Sequence, residues 1–387
     1  MSAACSQCLM RVDGIPNLYT CQVPARAGMR LERQNAYPTA KVDIFGAIDF
    51  LFPRGLDHHE MFAGVPVAEQ VMAKVARHLA GLGLLPERAP PERAPAETLT
   101  TRVAIVGGGA AGSNAAETLA RRGVPYFLCE RDEVLGGRLL LGAGAPVLAV
   151  GANARVRTRA SAFGLYADQA GRYLAVVGVT PEGPRLTKVY AERFLLAPGG
   201  HASVLPFENN DLPGVYSGKA AGVLLARHGL VAGEQVALVG HGGDLYALAR
   251  QFEAAGSKVV AVVDLRGVPP ADAPEHACHG TVLKAFGHAK GRVSGLGFQV
   301  SGKQRKVPCD AIIVCLPSSP SFELARQGGA RVSWSAGMDS FVVEADAEGR
   351  TSGSGVFVAG DVLGERSAEA AAASGQRTAD FIASELA

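Results

Sequence analysis

Apolar positions cluster along the chain in a way that predicts its elements. From Arg102 the run Val103-Ala-Ile-Val carries no polar residue, as a strand buried on both faces requires. A glycine turn follows, then a helical run from Gly112 to Gly123, then a second apolar strand, Pro125 to Cys129. Strand, helix and strand at this spacing predict a βαβ unit. A second unit begins at Glu234, with strand Val236 to Val239, a glycine turn, helix Asp244 to Ala255 and strand Lys258 to Asp264. Two nucleotide-fold signatures thus stand about 130 residues apart. Between them, Arg172 to Thr180 and Leu186 to Phe194 suggest antiparallel strands, and Leu195 to Gly200 a short strand running into glycines. Further on, Ala311 to Leu316 and Val356 to Ala359 read as buried strands, and Ala368 to Leu386 as an alanine-rich closing helix. The order predicts an α/β fold with two dinucleotide-binding domains: residues 101–217 and 323–387 form one, and residues 218–322 form a second inserted within it.

Upstream the pattern is poorer. Val67, Val71, Val75 and Leu79, four apart, mark an amphipathic helix within Val65 to Leu84. Its stripe, and Phe45, Ile48, Phe50, Leu51, Phe52 and Phe62 before it, need cover, so residues 26–84 are expected to dock on the main body or on a partner subunit. Proline and charge concentrate in Leu85 to Leu99, LPERAPPERAPAETL, which predicts an exposed linker over residues 85–100.

Composition narrows the partners. With 38 Lys+Arg against 36 Asp+Glu in 387 residues, the net charge of +2 gives no basic stripe for nucleic acid. No apolar run approaches the roughly 18 residues of a membrane span, and the N-terminus lacks a leader pattern, so a cytoplasmic chain is expected. Seven cysteines, with Cys5, Cys8 and Cys21 bunched near the start, point to thiol or metal chemistry rather than a disulfide framework.

The first glycine turn carries the chemistry. Gly107, Gly109 and Gly112 satisfy GxGxxG between a strand and a helix, with Ala110 and Ala111 inside the motif. The glycines serve a tight turn, backbone approach to a pyrophosphate, and close packing of helix on strand. The helix N-terminus then offers free N–H groups and its positive dipole end to phosphates. Glu130, 18 residues after Gly112, ends the next strand where a carboxylate can accept from ribose hydroxyls, with Arg131 beside it. Gly136-Gly137-Arg138 supplies a glycine pair and an arginine common after such an acid in FAD proteins. Gly360 and Asp361, in GSGVFVAGD, place an acid after a buried strand and before the last helix. There it would meet the ribityl chain of FAD, or serve as N-cap of that helix. FAD is therefore expected in this site, with NAD the alternative.

The second turn, Gly240-His241-Gly242-Gly243-Asp244, has Leu245 where the third glycine belongs, which argues against NADH there; Asp264, with Arg266 nearby, stands where a ribose acid would sit. The chain has no CxxC in this part; Cys309 and Cys315 flank an apolar strand and should be buried. Cys5 and Cys8, with Cys21 beyond the Val12-Asp13-Gly14 turn, follow part of the plant-type [2Fe–2S] spacing, which uses four thiolates. The first would fall just before Met1, so ligation is expected in a longer form of the chain. His58-His59 and His276, Cys278, His279 and His288 lack zinc spacing. No GxSxG appears, which disfavours hydrolysis.

On these residues, and on Gln34-Asn35-Ala36-Tyr37-Pro38, Thr158 to Tyr166 (TRASAFGLY, which includes Ala162), Pro206 to Val215 (PFENNDLPGV) and Val356 to Val362, the chain resembles a known family. These are the α subunits of heteromeric sarcosine oxidase and their relatives in opine oxidases, hydrogen cyanide synthase and dye-linked proline dehydrogenases. The resemblance implies that Gly107, Gly109, Ala110, Ala111, Gly112, Glu130, Arg131, Gly137, Arg138, Ala162, Gly360 and Asp361 contact a dinucleotide. It implies a ferredoxin-like remnant at residues 1–25, with Cys5, Cys8 and Cys21 as [2Fe–2S] ligands. It also implies a glycine-oxidase-like, FAD-containing β subunit in which amines are oxidised, and an FMN at the subunit interface. Two departures stand out: Leu139 to Ala154 is too short for the usual helix, and Ala197-Pro198-Gly199 replaces Ala-Thr-Gly. The expected function is electron transfer within an amine or amino-acid dehydrogenase or oxidase. The alternatives are a free-standing NAD(P)H-dependent flavin reductase and a non-catalytic dinucleotide-binding scaffold.

Overall fold

The computed structural model describes residues 9–20, 23–34, 96–141, 155–180, 183–287, 291–365 and 367–387, with a few isolated positions between 38 and 67. Cys5, Cys8 and Cys21, the helix expected within Val65 to Leu84, His58-His59 and His288 lie outside the described residues. The chain divides into two compact units, residues 1–96 with 179–185, and residues 97–178 with 186–387.

The first unit holds β1 (Leu9–Val12), β2 (Ile15–Tyr19) and β3 (Leu31–Glu32) in a three-stranded antiparallel sheet. Asp13 and Gly14 turn the first hairpin with φ of 50° and 83°, the pair of left-handed residues that matches the twist of a two-residue hairpin. The Asp13 carboxylate accepts from the Arg30 N–H at 2.9 Å and from Arg26 Nη2 at 2.6 Å, which hold it below the usual carboxylate range.

The second unit opens on β4 (Glu97–Val106), followed by helix α1 (Ala110–Arg121), β5 (Tyr126–Cys129), β6 (Arg155–Arg157), β7 (Ala160–Asp168), and β8 (Gly171–Thr180) and β9 (Gly183–Leu196) apart from residues 179–185. Residues 97–100, expected as the end of the linker, are thus part of β4. Glu97-Thr-Leu-Thr-Thr alternates in exposure and pairs in parallel with β9 from Thr187, and Glu97 accepts from Arg157 Nη2 at 2.7 Å. Likewise the two strands expected from Leu186 to Gly200 are one. β9 is held straight through Leu196 by β4 and, from Phe194 on, by the late strand Val356–Val358, which also pairs with it in parallel.

β10 (Gly200–His201) leads to β11 (Val215–Ser217), α2 (Gly218–His228), β12 (Gln235–Gly240), α3 (Gly243–Ala254), β13 (Lys258–Asp264) and β14 (Ala277–His279). A three-stranded antiparallel sheet, β15 (Thr281–Gly287), β16 (Val293–Val300) and β17 (Lys303–Val307), precedes β18 (Ala311–Cys315). The inserted layer is a five-stranded sheet in the order β11, β18, β12, β13, β14, its pairs all parallel. Val215–Ser217 therefore belongs to the inserted layer. The chain returns through β19 (Ser319–Pro320), which pairs with β10, to the short helix α4 (Glu323–Gln327), the hairpin β20 (Val332–Ser335) and β21 (Ser340–Val343), β22 (Val356–Val358) and the closing helix α5 (Ala368–Leu386). No described helix is long and apolar enough to cross a membrane.

β6, β5, β4, β9, β8 and β7 lie side by side in one sheet, and helices α1 and α5 bury one face of it with Ala115, Leu119, Ala379 and Ile382. They approach closely because Gly375 has no side chain: a Cβ there would lie 2.0 Å from the Ala111 carbonyl oxygen. Gly375→Val is expected to cost about 3 kcal/mol by overpacking, read as a lower melting temperature, because the helices cannot part without lifting α1 from its sheet.

Candidate dinucleotide and flavin site

The sequence around Gly107 folds as a cradle because two of its glycines, Gly107 and Gly112, meet a backbone that a side chain would strike. Gly107 has φ of +93° and donates its N–H to the Cys129 carbonyl at 2.9 Å; a Cβ would lie 2.2 Å from the Ala197 oxygen. At Gly112 a Cβ would come 1.8 Å from the Gly107 oxygen, so this glycine sets how closely α1 sits on the loop. Gly109 differs: it caps α1 with an ordinary extended backbone, φ −74° and ψ −166°, and a Cβ on it would meet nothing within 4 Å. The space over Gly109 and the uncapped N–H groups of α1 thus face each other, with no acid in the first turn of that helix.

Glu130 is 9% exposed and turned onto this loop. Its Oε2 accepts from the Gly108 N–H at 2.7 Å, and its Oε1 from the Asp132 N–H at 2.8 Å. The Gly136-Gly137 turn lies against the loop from the other side, where Gly136 donates to the Gly108 oxygen at 2.8 Å and a Cβ on Gly137 would be 3.0 Å from the Gly109 Cα. Arg138 then reaches Asp244 of the second glycine loop, Nη2 to Oδ2 at 2.5 Å. Arg131 is exposed beside Glu130. Ala162 lies on β7 two positions beyond Ala160, whose N–H donates to the Glu130 carbonyl at 2.9 Å.

Gly360 and Asp361 come to the same place from the end of the chain. With φ of +79°, Gly360 turns the chain past α1, where a Cβ would be 2.9 Å from that of Ala111. Asp361 lies in a 3₁₀ turn, Gly360–Leu363, and is not the N-cap of α5; Ser367 is, its Oγ accepting from the Ala370 N–H at 3.0 Å. The turn ends on left-handed Gly364, which frees the next residues to start the helix. Burial pushes the Asp361 carboxyl above its ordinary value; Arg138 and Lys219 pull it down, and Asp244 pushes it up.

Sequence reasoning missed two residues here. Lys219, in the first turn of α2, has its pKa lowered by desolvation and by Arg131, against the pull of Asp132, Asp361 and Glu130. Glu365 has a buried Oε2 without a hydrogen-bond partner among the described residues, while its Oε1 faces Arg377 at 3.4 Å. No motif marks either, because the chain brings them in from separate layers. Asp361, Glu365, Arg138, Met338 and the second glycine loop line a cavity of about 270 Å³. A larger one, about 370 Å³, lies among Arg172, Arg193, Arg350, Glu192 and Glu385, whose ionic groups are engaged with one another, with backbone or, for Glu192, with Arg102 at 2.9 Å.

The described cysteines Cys129, Cys278, Cys309 and Cys315 are not joined in disulfides, and Cys278 is half-buried. Cys129, Cys309 and Cys315 are free and buried, and burial raises each thiol to about 12. No group of three His, Cys, Asp or Glu among the described residues could hold a metal.

Comparison with known proteins agrees with this layout. Residues 101–376 match the family described as pyridine nucleotide-disulphide oxidoreductase, and residues 1–36 match the 2Fe-2S iron-sulfur cluster binding domain. The chain is 26% identical over 359 residues to the alpha subunit of sarcosine oxidase from Rhizobium meliloti strain 1021, covering 86% of this chain and 36% of that protein. It is 29% identical over 235 residues to one of the opine oxidase subunits of Agrobacterium tumefaciens strain Ach5, covering 54% of this chain and 46% of that one. It therefore spans between about a third and a half of the length of these relatives. The crystal structure of L-proline dehydrogenase from P.horikoshii has the same fold, with a TM-score of 0.68 at 20% identity over 98% of this chain and 64% of that one. The chain belongs to the pyridine nucleotide-disulphide oxidoreductase family, as an oxidoreductase chain homologous to the alpha subunits of sarcosine oxidase and their counterparts in opine oxidase.

Proposed function

We propose that this chain binds FAD and is the electron-transferring subunit of a heteromeric amine or amino-acid dehydrogenase or oxidase, with substrate oxidised in a glycine-oxidase-like partner subunit that carries its own FAD. The observation that carries this reading is convergence. The open space over Gly109, the Glu130 carboxylate, the Gly136-Gly137 turn and Asp361 adjoin one another, and Asp361 also lines the 270 Å³ cavity. A long dinucleotide needs such a path from its adenosine end to its redox end.

The residues suit FAD. The N-terminal N–H groups of α1 take the pyrophosphate, and the helix dipole favours its charge. Glu130 accepts from ribose hydroxyls while staying tied to the Gly108 N–H. Asp361 and the unpartnered Glu365 oxygen are acceptors for the hydroxyl and N–H groups of the ribityl and flavin end. Bound FAD supplies the capacity to take up and release electrons; the protein excludes water from the pyrophosphate and orients the carrier. An FMN at the subunit interface, and a [2Fe–2S] cluster to which Cys5, Cys8 and Cys21 contribute thiolates, extend the same relay. The names of the relatives, each one component of a larger oxidase, support the partner.

The test is to purify the chain with its partner, release the cofactors by denaturation and identify them by mass spectrometry, then follow flavin spectra during reduction by sarcosine, proline and glycine. FAD on this chain that is reduced after the partner flavin is expected. Absence of any dinucleotide from the chain would sink the proposal, and a bound FAD that never changes redox state would reduce it to a scaffold.

A further inference from the structure

The second nucleotide fold has the architecture that holds a pyridine nucleotide in this family, and its residues can be matched position by position to those of the first. In the first fold, Gly112 allows the helix onto the loop and the first turn of α1 has no acid. The second has Leu245 at the third glycine position, fully buried, and Asp244 in the first turn of α3. A pyrophosphate at Gly242 would meet that carboxylate and would have to compete with it for Arg138, its ion-pair partner at 2.5 Å.

The ribose acid differs too. Glu130 is clamped to its glycine loop by the Gly108 N–H. Asp264, only 6% exposed, accepts instead from the Tyr246 hydroxyl at 2.6 Å on Oδ2, and from the Arg266 and Gly267 N–H groups at 2.9 and 3.0 Å on Oδ1. Tyr246 is itself 6% exposed, so its hydroxyl holds in place the Asp264 oxygen that a ribose would need. A short hydrogen bond to a carboxylate is among the stronger kinds, and displacing it leaves a buried phenol unsatisfied. Nor is Arg266 held ready for a 2′-phosphate, since it pairs with Asp339 at 2.8 Å.

We propose that Tyr246 and Asp244 close the second nucleotide fold to NADH and NADPH, so that this chain takes electrons from a protein partner and not from a nicotinamide. The inference deepens the reading of the first site, and its test does not depend on it. NADH and NADPH are titrated onto the full chain with binding read from their own fluorescence, while bound FAD is read separately from visible absorbance. No saturation at millimolar concentration is expected for the wild-type chain, and no bleaching of bound flavin beyond that of free FAD mixed with NADH. The double variant Asp244→Asn with Tyr246→Phe keeps the ring and the fold but removes the charge and frees an Asp264 lone pair; saturable NADH binding, at least about tenfold tighter, is expected to appear. Saturable binding by the wild-type chain overturns the proposal. A double variant as silent as the wild type overturns the assignment to these two side chains. A wild-type chain that carries no FAD and also binds no NADH sinks the first-site reading alone.

Discussion

Gly109→Val is expected to lower affinity for FAD by roughly 100-fold while costing the flavin-free chain only about 1 kcal/mol, since valine is a poorer N-cap than glycine. The two effects separate because of where this glycine stands. Its backbone is extended, so a β-branched residue fits without strain, and a Cβ there meets no protein atom within 4 Å. The space it would fill is the space the pyrophosphate needs. Two added methyl groups push the phosphates off the N–H groups of α1, and a misfit of about 2–3 kcal/mol corresponds to that loss. The neighbouring glycines behave differently. Gly107→Ala and Gly112→Ala would each drive a Cβ to within 2.2 and 1.8 Å of a backbone oxygen and should unfold the loop itself. FAD titration and thermal melts of the deflavinated variants check this. A Gly109→Val chain that keeps FAD would show that the dinucleotide does not cross this loop.

The same contrast explains what is legible in the sequence. The first loop can be read because strand run, glycine spacing and helix period each demand the same turn, and all three are local. Glu130 follows because it ends the strand that the loop already places. The early start of β4 cannot be read this way: Glu97 to Thr101 becomes a strand only through β9, which lies some 90 residues on. Asp361 can be read as an acid between a buried strand and the last helix but not as a residue outside the helix cap, since that depends on left-handed Gly364 ending the turn and on Ser367 taking the cap. Tyr246 is least legible. At helical spacing a tyrosine reads as core, and only the fold brings its hydroxyl to Asp264. The Arg138 to Asp244 pair, 106 residues apart, belongs with it.

Asp361→Asn should make the flavin-free chain more stable at neutral pH and bind FAD more weakly. Burial raises the folded-state pKa of Asp361 above its ordinary value, and Arg138 and Lys219 offset this only in part. Between the ordinary and the raised value the folded chain therefore holds a proton that the unfolded chain has lost. Stability falls as pH rises through that window and stays lower above it. Asparagine cannot ionise, so the variant escapes the loss at neutral pH, whereas at acidic pH, where Asp361 is protonated in both states, the two chains should melt alike. FAD reverses the order. A hydroxyl donating to a carboxylate is worth about 1 kcal/mol more than one donating to a neutral amide, so affinity for FAD should fall by roughly fivefold. The buried charge thus costs stability in the empty chain and contributes affinity in the loaded one, as a ligand-facing carboxylate should. Melts of the deflavinated chain across this pH range, with FAD titrations beside them, decide the matter. If Asp361→Asn melts lower at neutral pH and keeps its flavin, the carboxylate serves the Gly360–Leu363 turn and not the cofactor.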